Sequence, residues 1–158
     1  MNNAIVDVVF INPDSSGTAY QELSSRFAAI EPPTWALLLA ESVRSKGWNP
    51  KIIDANAERL SDIAICQRLS KLNPRLICFV VYGQNVNAGT TNMHGAVRTA
   101  KAIKDYGSAI PISIIGSHIQ ALPRQTLKNE EVFDFGFTNE GVYALWDVLS
   151  LDSIQISS

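Results

Sequence analysis

Short, nearly continuous apolar runs alternate along the chain with longer segments in which apolar residues recur at helical spacing. The apolar runs predict β-strands at residues 4–11, 50–56, 75–83, 110–117 and 132–138. The periodic segments predict helices at residues 31–47, 57–74, 91–107, 121–129 and 140–150. Such strands, alternating with helices, are typical of a parallel sheet covered on both sides. The expected fold class is α/β: a doubly wound, Rossmann-like or flavodoxin-like sheet of five parallel strands with helices on both faces.

The periodicity of the first two helices predicts which side chains face the sheet. In the first helix these are Trp35, Leu38, Leu39, Ser42 and Val43. In the second helix they are Leu60, Ile63, Ala64, Leu69 and Leu72. Trp35 and Trp146 are accordingly expected in the core, and Trp48, just past a helix, is expected to be partly exposed.

The predicted domain spans residues 1–150, a length that can bury a substantial core. Residues 151–158 have no packing pattern of their own and are expected to form a linker or tail. The apolar run near the N-terminus is too short to span a bilayer and follows no basic segment. We therefore expect a cytoplasmic protein with no membrane partner.

Charge and cysteine content narrow the classes of ligand. The formal net charge is -2 and no cluster of Lys and Arg occurs, so nucleic acid is not an expected partner. Cys66 and Cys78 lie within apolar segments and are interpreted as small buried residues in a reducing compartment. Two thiols alone cannot hold an iron–sulfur cluster, which usually takes three or four.

Amides, hydroxyls and glycines follow the predicted strands, and charged residues are few there. Because the carboxyl ends of parallel strands share one edge of the sheet, these residues are expected to surround a common ligand. Such groups suit a large, polar, mostly neutral ligand, since they bind through hydrogen bonds and small side chains allow close approach. The alternative is that they are ordinary turn residues between strands and helices.

Several familiar sites are absent from the sequence. No glycine-rich dinucleotide or P-loop motif occurs, and the third strand ends in Tyr82 and Gly83 instead of a phosphoacceptor aspartate. His118 follows the fourth strand and is a candidate ligand contact, whereas His94 is expected to be a solvated or capping residue. Neither histidine has a carboxylate or cysteine partner in sequence, so no catalytic or metal-ligating residue is predicted.

The order of several short motifs resembles a known family. They are INP, EPPTWALLLAESVRSKG, KIIDANAE, LICFVVYGQN, IIGSHIQALPRQTL and FDFGFTNEG. Together, over about residues 4–150, they resemble the N-terminal cobalamin-binding domain of cobalamin-dependent radical S-adenosylmethionine enzymes. The chain departs from that family at residues 138–141, where TNEG replaces the usual G-E-x-E.

The resemblance implies a Rossmann-like domain with the corrin ring over the carboxyl edge of the sheet and the nucleotide tail beside it. The implied cofactor-binding residues are Pro13, Asp14, Ser15, Tyr82, Gly83, Gln84, Asn85, Gly116, Ser117, His118, Thr138, Asn139 and Glu140. Classical cobalamin modules carry a cobalt-ligating histidine after the first strand, but residues 14–19 here read DSSGTA. The expected ligand is thus base-off cobalamin, its cobalt without a histidine beneath it.

The resemblance also implies a partner. The three-cysteine motif that holds the 4Fe-4S cluster in this family is absent from this chain. We therefore expect S-adenosylmethionine and the cluster to belong to a separate or fused catalytic domain, with the present chain not catalytic alone and serving methyl transfer or a related reaction. The alternative function is a stand-alone flavodoxin-like protein that binds flavin or a nucleotide.

Overall fold

Parallel strands form one sheet in the computed structural model, which describes residues 5–14, 32–82 and 86–154. The strands are β1 (Val8–Asn12), β2 (Pro50–Asp54), β3 (Leu76–Val81), β4 (Ile112–Gly116) and β5 (Phe135–Phe137). Their order is β2-β1-β3-β4-β5, and every neighbouring pair is parallel. The strand order changes direction between β1 and β3, the position at which open α/β sheets commonly bind ligands.

Helices cover both faces of this sheet. They are α1 (Thr34–Arg44), α2 (Asp62–Leu72), α3 (Val86–Asp105), α4 (Ser117–Ala121), α5 (Pro123–Asn129) and α6 (Val142–Ser150). The predicted fold class is confirmed, and each predicted strand and helix is present. The largest boundary differences are at α2, which begins at Asp62 instead of residue 57, and at α3, which begins at Val86 instead of residue 91; residues 117–129 form two short helices.

Strands β1 to β4 contribute alternate side chains to two apolar clusters, one on each face of the sheet. In β1, Val9 and Ile11 belong to the cluster beneath α2 and α3, whereas Val8 and Phe10 belong to the cluster beneath α1 and α6. All six residues of β3 are buried. The sheet centre therefore supplies both cores, which explains why its strands read as continuous apolar runs.

The buried stripe of α1 differs from the predicted one. Small residues make the close contact with the sheet: the buried side chains are Ala36, Leu39, Ala40 and Val43. Trp35 is 44% exposed and Leu38 is 57% exposed, so the prediction that these residues lie in the core is wrong. The helix is rotated so that Ala36 and Ala40 lie inside with Leu39 and Val43, and Trp35 and Leu38 lie outside.

The remaining expectations for tryptophans and cysteines have mixed outcomes. Ile63 of α2 is also exposed, at 66%, contrary to prediction. Trp146 is half-buried, and its indole Nε1 donates a hydrogen bond to Ser42 Oγ at 3.0 Å. Cys66 and Cys78 are both buried and free, as expected. The segment beyond α6 has some packing, since Ile154 lies against the α1–α6 cluster.

Within residues 5–14, 32–82 and 86–154, no helix combines the length and the apolar character needed to cross a bilayer.

Candidate functional site

The carboxyl ends of β1 and β2 are joined by polar side chains. Asn12, the last residue of β1, donates from Nδ2 to Asp54 Oδ1 at 2.9 Å. The same carboxylate oxygen accepts the backbone N–H of Ala57 at 3.1 Å, which fixes the turn after β2. Asp54 therefore has a structural role here: it holds the end of β1 in place, directly before Pro13 and Asp14.

An aromatic pair lies where β3 ends. The rings of Trp35 and Tyr82 are stacked, with centroids 4.5 Å apart and planes inclined by 22°. Tyr82 Oη donates to the carbonyl of Asn139 at 3.3 Å, beyond β5, and Asn92 Nδ2 donates to the carbonyl of Tyr82 at 3.3 Å. Because β4 lies between β3 and β5, the Tyr82 side chain crosses the end of β4. The pair thus links α1, β3 and the loop after β5.

The phenol of Tyr82 is held in its neutral form. Burial raises its pKa above the ordinary tyrosine value, and the negative charges that Cys78 and Glu140 would carry raise it further. A neutral phenol at this edge can donate a hydrogen bond, and it adds no charge to the site.

Gly116 ends β4 at a very close approach between strands. Its φ is +153°, and a Cβ at this residue would lie 2.0 Å from the carbonyl oxygen of Val81. Gly141, at the start of α6, has φ +63°, and a Cβ there would lie 2.5 Å from Cδ1 of Ile115. Both glycines are required by the protein's own packing, which brings the ends of β3, β4 and α6 together.

Ser117 carries a buried hydroxyl at the start of α4. Among the residues that the structure describes, its Oγ is the one buried side-chain oxygen or nitrogen without a hydrogen-bond partner. Buried polar atoms are nearly always paired, so an unpaired one at a predicted binding edge is informative. A ligand with a polar group at this edge would satisfy it.

His118 faces a different part of the molecule from the aromatic pair. It lines a groove of about 500 Å³ between α3 and the helices α4 and α5, together with His94, Arg98 and Glu130. Tyr82, by contrast, packs against the cluster beneath α1 and α6. The structure therefore places the predicted residues Tyr82 and His118 on opposite sides of the sheet.

A charged group joins α2 and α3 near the end of β1. Asp62 accepts hydrogen bonds from Arg98 Nε at 2.9 Å and from Thr99 Oγ1 at 2.7 Å, and Arg98 also donates to the carbonyl of Asp14 at 3.4 Å. Nothing in the apolar pattern of the sequence singles out Arg98. Its position three turns into a helix gave no signal, since only the packing of two helices brings it beside the loop after β1.

The remaining predicted site residues are placed as follows. Pro13 is buried directly after β1, and Thr138, Asn139 and Glu140 are exposed after β5. Ser15, Gly83, Gln84 and Asn85 lie outside the described residues, so their predicted roles stay predictions. Trp35 was expected in the core but lies at the carboxyl edge. The signal for this was its place in the first turn of α1, since the helix that follows β1 begins at that edge.

The thiols and the acidic groups give no metal centre in the described part of the chain. Burial raises the pKa of Cys78 to about 12, with a smaller opposing effect from a hydrogen bond with Ser113. Burial also raises the pKa of Cys66, and Asp62 adds to this effect. Among residues 5–14, 32–82 and 86–154, no group of three or more His, Cys, Asp or Glu side chains is placed to hold a metal ion.

Comparison with known proteins identifies the family. The sequence matches the B12 binding domain family over residues 23–149. The chain belongs to the B12-binding domain family. No curated protein matches the sequence.

A solved structure with the same fold is a radical S-adenosylmethionine methyltransferase, TsrM from Kitasatospora setae, determined with its tryptophan substrate and the analogue aza-SAM bound. The TM-score is 0.68 at 13% sequence identity, and the match covers 93% of this chain. It covers 25% of the TsrM chain, so the present B12-binding domain spans about a quarter of that protein's length. At this identity the likeness shows the shared fold.

The described residues of this B12-binding domain fit a cobalamin ligand. The corrin ring carries amide side chains on its rim, and such amides pair with neutral donors and acceptors. Ser117 Oγ, Tyr82 Oη and the exposed amide of Asn139 supply such groups at one edge. The fit rests on the unpaired Ser117 hydroxyl, which needs a partner that the described chain does not provide.

Proposed function

We propose that this chain binds cobalamin at the carboxyl edge of its sheet, as a module serving a radical S-adenosylmethionine methyltransferase or a related enzyme. The observation that carries the proposal is the match to the B12-binding domain family over residues 23–149, on a fold whose carboxyl edge holds an unpaired buried hydroxyl. When bound, cobalamin supplies a cobalt that can accept and pass on a methyl group.

The cobalt in this proposal has no histidine ligand from the protein. No histidine occurs at residues 14–19, where classical modules carry one. His94 and His118 both line the groove between α3 and α5, and Tyr82 is on the opposite side of the sheet. The nucleotide tail would lie beside the sheet, which keeps its base away from the metal, and the form bound would be base-off.

The catalytic step in this proposal belongs to another domain. The chain carries two cysteines, both buried with raised pKa values, and it lacks the three-cysteine motif of a radical S-adenosylmethionine centre. S-adenosylmethionine and the 4Fe-4S cluster would be held by a fused or separate catalytic domain. This domain would bind the cofactor, orient its corrin ring and shield one face from water.

The first test measures binding. The purified chain is titrated with hydroxocobalamin and, in parallel, with flavin mononucleotide, and each mixture is passed over a sizing column. Stoichiometric co-elution of cobalamin supports the proposal. Binding of flavin but not cobalamin supports the flavodoxin-like alternative, and binding of neither contradicts both functions.

Two serines of the same region provide a matched pair of variants. Ser117→Ala removes the unpaired hydroxyl and is expected to weaken cobalamin about fivefold, the value of roughly one hydrogen bond, with no loss of stability. Ser113→Ala removes a buried hydroxyl that donates to the carbonyl of Ile77 at 3.1 Å. It should lower stability by about 1 kcal/mol while leaving the affinity of the folded protein unchanged. Equal affinities for all three proteins would contradict a role for Ser117.

The coordination of cobalt is tested by electron paramagnetic resonance of the bound Co(II) form. A spectrum without nitrogen splitting is expected for the wild type and for the variant with both His94→Ala and His118→Ala. Nitrogen splitting that disappears in the double variant would overturn the prediction of a cobalt without histidine. Nitrogen splitting that persists in it would show that the tail base is coordinated and would overturn the base-off form.

A further inference from the structure

Trp35 has one covered face and one open face. It lies in the first turn of α1, and its ring is stacked on that of Tyr82 at a centroid distance of 4.5 Å. The residue is nevertheless 44% exposed. Because Tyr82 covers one face of the indole, the exposed surface belongs to the opposite face and the rim. An indole ring with an open face offers a large, rigid surface on which another flat ring can stack.

The Trp35–Tyr82 pair lies on the α1–α6 face of the sheet. Tyr82 packs against the cluster beneath α1 and α6, and its hydroxyl reaches the carbonyl of Asn139. The Tyr82 ring therefore crosses the end of β4 on the α1–α6 side, and the indole continues this aromatic surface towards α1. A ligand that meets Trp35 lies beside the sheet on this side.

Hydrogen bonds at both ends of Tyr82, its carbonyl and its hydroxyl, hold the residue in place. Its carbonyl accepts from Asn92 of α3, and its hydroxyl donates to Asn139, so the ring is held independently of Trp35. Trp35 has no comparable role in the fold, since the buried contacts of α1 are made by Ala36, Leu39, Ala40 and Val43. Its exposed indole is thus available for a contact other than packing.

We propose that the open face of Trp35 stacks on the flat aromatic base of the cobalamin nucleotide tail, an inference that rests on the cobalamin binding proposed above. Aromatic rings stack in an offset geometry that suits a flat base, and such stacking is tolerant of small changes in position. The corrin rim carries methyl and amide groups, which gain much less from an indole face. Trp35 is then a binding residue that places the tail on the α1–α6 side.

The test compares two ligands that differ in the tail. Hydroxocobalamin carries the nucleotide base, and cobinamide is the same corrin without it. Trp35→Ala should weaken hydroxocobalamin about tenfold, a typical loss when an aromatic platform for a base is removed, and should leave cobinamide unchanged. Trp35→Phe keeps an aromatic face and should recover most of the affinity.

Trp48→Phe is the matched control. Trp48 precedes β2 at the opposite edge of the sheet and is half-buried against the α1–α6 cluster. The Trp48→Phe variant should bind hydroxocobalamin and cobinamide with unchanged affinity. Circular dichroism and a urea melt of each variant show that differences in affinity are not differences in folding.

The outcomes separate this inference from the proposed function. If wild type binds both ligands and Trp35→Ala weakens both equally, Trp35 contacts the corrin or supports Tyr82, and the tail assignment is wrong. If Trp35→Ala changes neither affinity, Trp35 is not a contact. If wild type binds neither ligand, the proposed function itself fails.

Discussion

The two edges of the sheet are built from different chemistry. At the amino edge, the carboxylate of Asp7 accepts from Arg75 Nη1 at 3.2 Å and from the backbone N–H of Asn49 at 2.8 Å. Arg75 also donates to the carbonyl of Leu149 at 3.1 Å and to that of Leu151. One ion pair thus connects the starts of β1, β2 and β3 to the end of α6.

The carboxylate of Asp134 likewise connects the starts of β4 and β5. Asp134 accepts from Lys104 Nζ at 2.9 Å and from the backbone N–H of Ile112 at 2.7 Å. Both partners of this ion pair are at least half-buried, and each acceptor has more than one donor. Partly buried charges that are fully hydrogen-bonded hold their neighbours in one geometry.

The carboxyl edge has weaker internal contacts where β3, β4 and β5 end. Tyr82 and Asn139 are joined by a hydrogen bond of 3.3 Å, Ser117 Oγ lacks a partner in the described chain, and Trp35 is 44% exposed. Charged pairs thus fix the amino edge, whereas the ends of β3, β4 and β5 at the carboxyl edge keep hydrogen-bonding groups available to a ligand. We therefore expect variants at the amino edge to lose stability and variants at the carboxyl edge to lose ligand binding. Glycines that the backbone itself requires are the exception.

Gly116→Ala should cause the largest loss of stability. It is an exception to the separation of the two edges, because Gly116 lies at the carboxyl edge. The added Cβ meets the carbonyl oxygen of Val81 at 2.0 Å and is also disfavoured at φ +153°. Overpacking against backbone together with this strain should cost about 3 kcal/mol of unfolding free energy, measured by urea denaturation.

Gly47→Ala is the matched control for that variant. Gly47 has φ +92° but nothing within 4 Å of the added Cβ, so only the backbone strain remains, at about 1 kcal/mol. Equal losses for the two variants would show that the close approach of β3 and β4 is not what requires glycine at residue 116.

Asp134→Ala should have the next largest effect, at the amino edge. It leaves the Ile112 N–H and the Lys104 ammonium without their shared acceptor, which should cost about 2 kcal/mol after allowance for partial exposure. Cobalamin affinity of the folded protein should not change. Glu41→Ala, which removes an exposed ion pair with Arg44, should leave the urea midpoint unchanged. A weakened ligand affinity in Asp134→Ala would break the separation of the two edges.

Tyr82→Phe should have a smaller effect than Asp134→Ala at neutral pH and a distinctive one in alkali. Loss of the hydrogen bond to Asn139 should cost about 0.5 kcal/mol. Because the folded pKa of Tyr82 is raised, its stabilising contribution is complete below about pH 10, where unfolded tyrosine ionises, and is lost as pH rises through the folded pKa.

The measurement is the unfolding free energy of wild type and Tyr82→Phe from pH 8 to pH 11. The wild type should lose stability more steeply above about pH 10, and the two slopes should coincide near pH 8. Identical slopes across the whole range would show that Tyr82 is not shielded from water at the carboxyl edge.

The sequence was sufficient to predict the sheet and its helices because burial on both faces leaves a strong pattern. β3 is apolar at all six positions, and every one of them is buried. The end of α2 was also readable, because Pro74 directly follows Asn73, the residue that caps this helix. The family followed from the order of these elements and the motifs between them.

The rotation of α1 could not be read from its pattern. A run such as Trp35-Ala36-Leu37-Leu38 offers apolar residues on every side, and periodicity gives no weight to small side chains. The close contact through Ala36 and Ala40 depends on the spacing between helix and sheet, a tertiary property. The predicted site residues at 15 and 83–85 lie outside the described chain and stay predictions.

The amino-edge network left no sequence signal either. Asp7 and Arg75 are distant in sequence, and only the pairing of β1 with β3 makes them neighbours. Asp134 precedes a strand of three residues, and its partner Lys104 looks like an ordinary basic residue near a helix end. Single charged residues gain such roles from topology, which a pattern of apolar positions does not contain.

The central place of β1 has a consequence for synthesis on the ribosome. This strand pairs with β2 on one side and β3 on the other, and β3 ends at Val81. Until Val81 has emerged, the apolar strand Val8–Asn12 keeps an unpaired hydrogen-bonding edge. Exposed edges of this kind invite pairing with other chains. A nascent chain of this protein should therefore depend on chaperones early, and a truncation before residue 76 should aggregate where the whole chain folds.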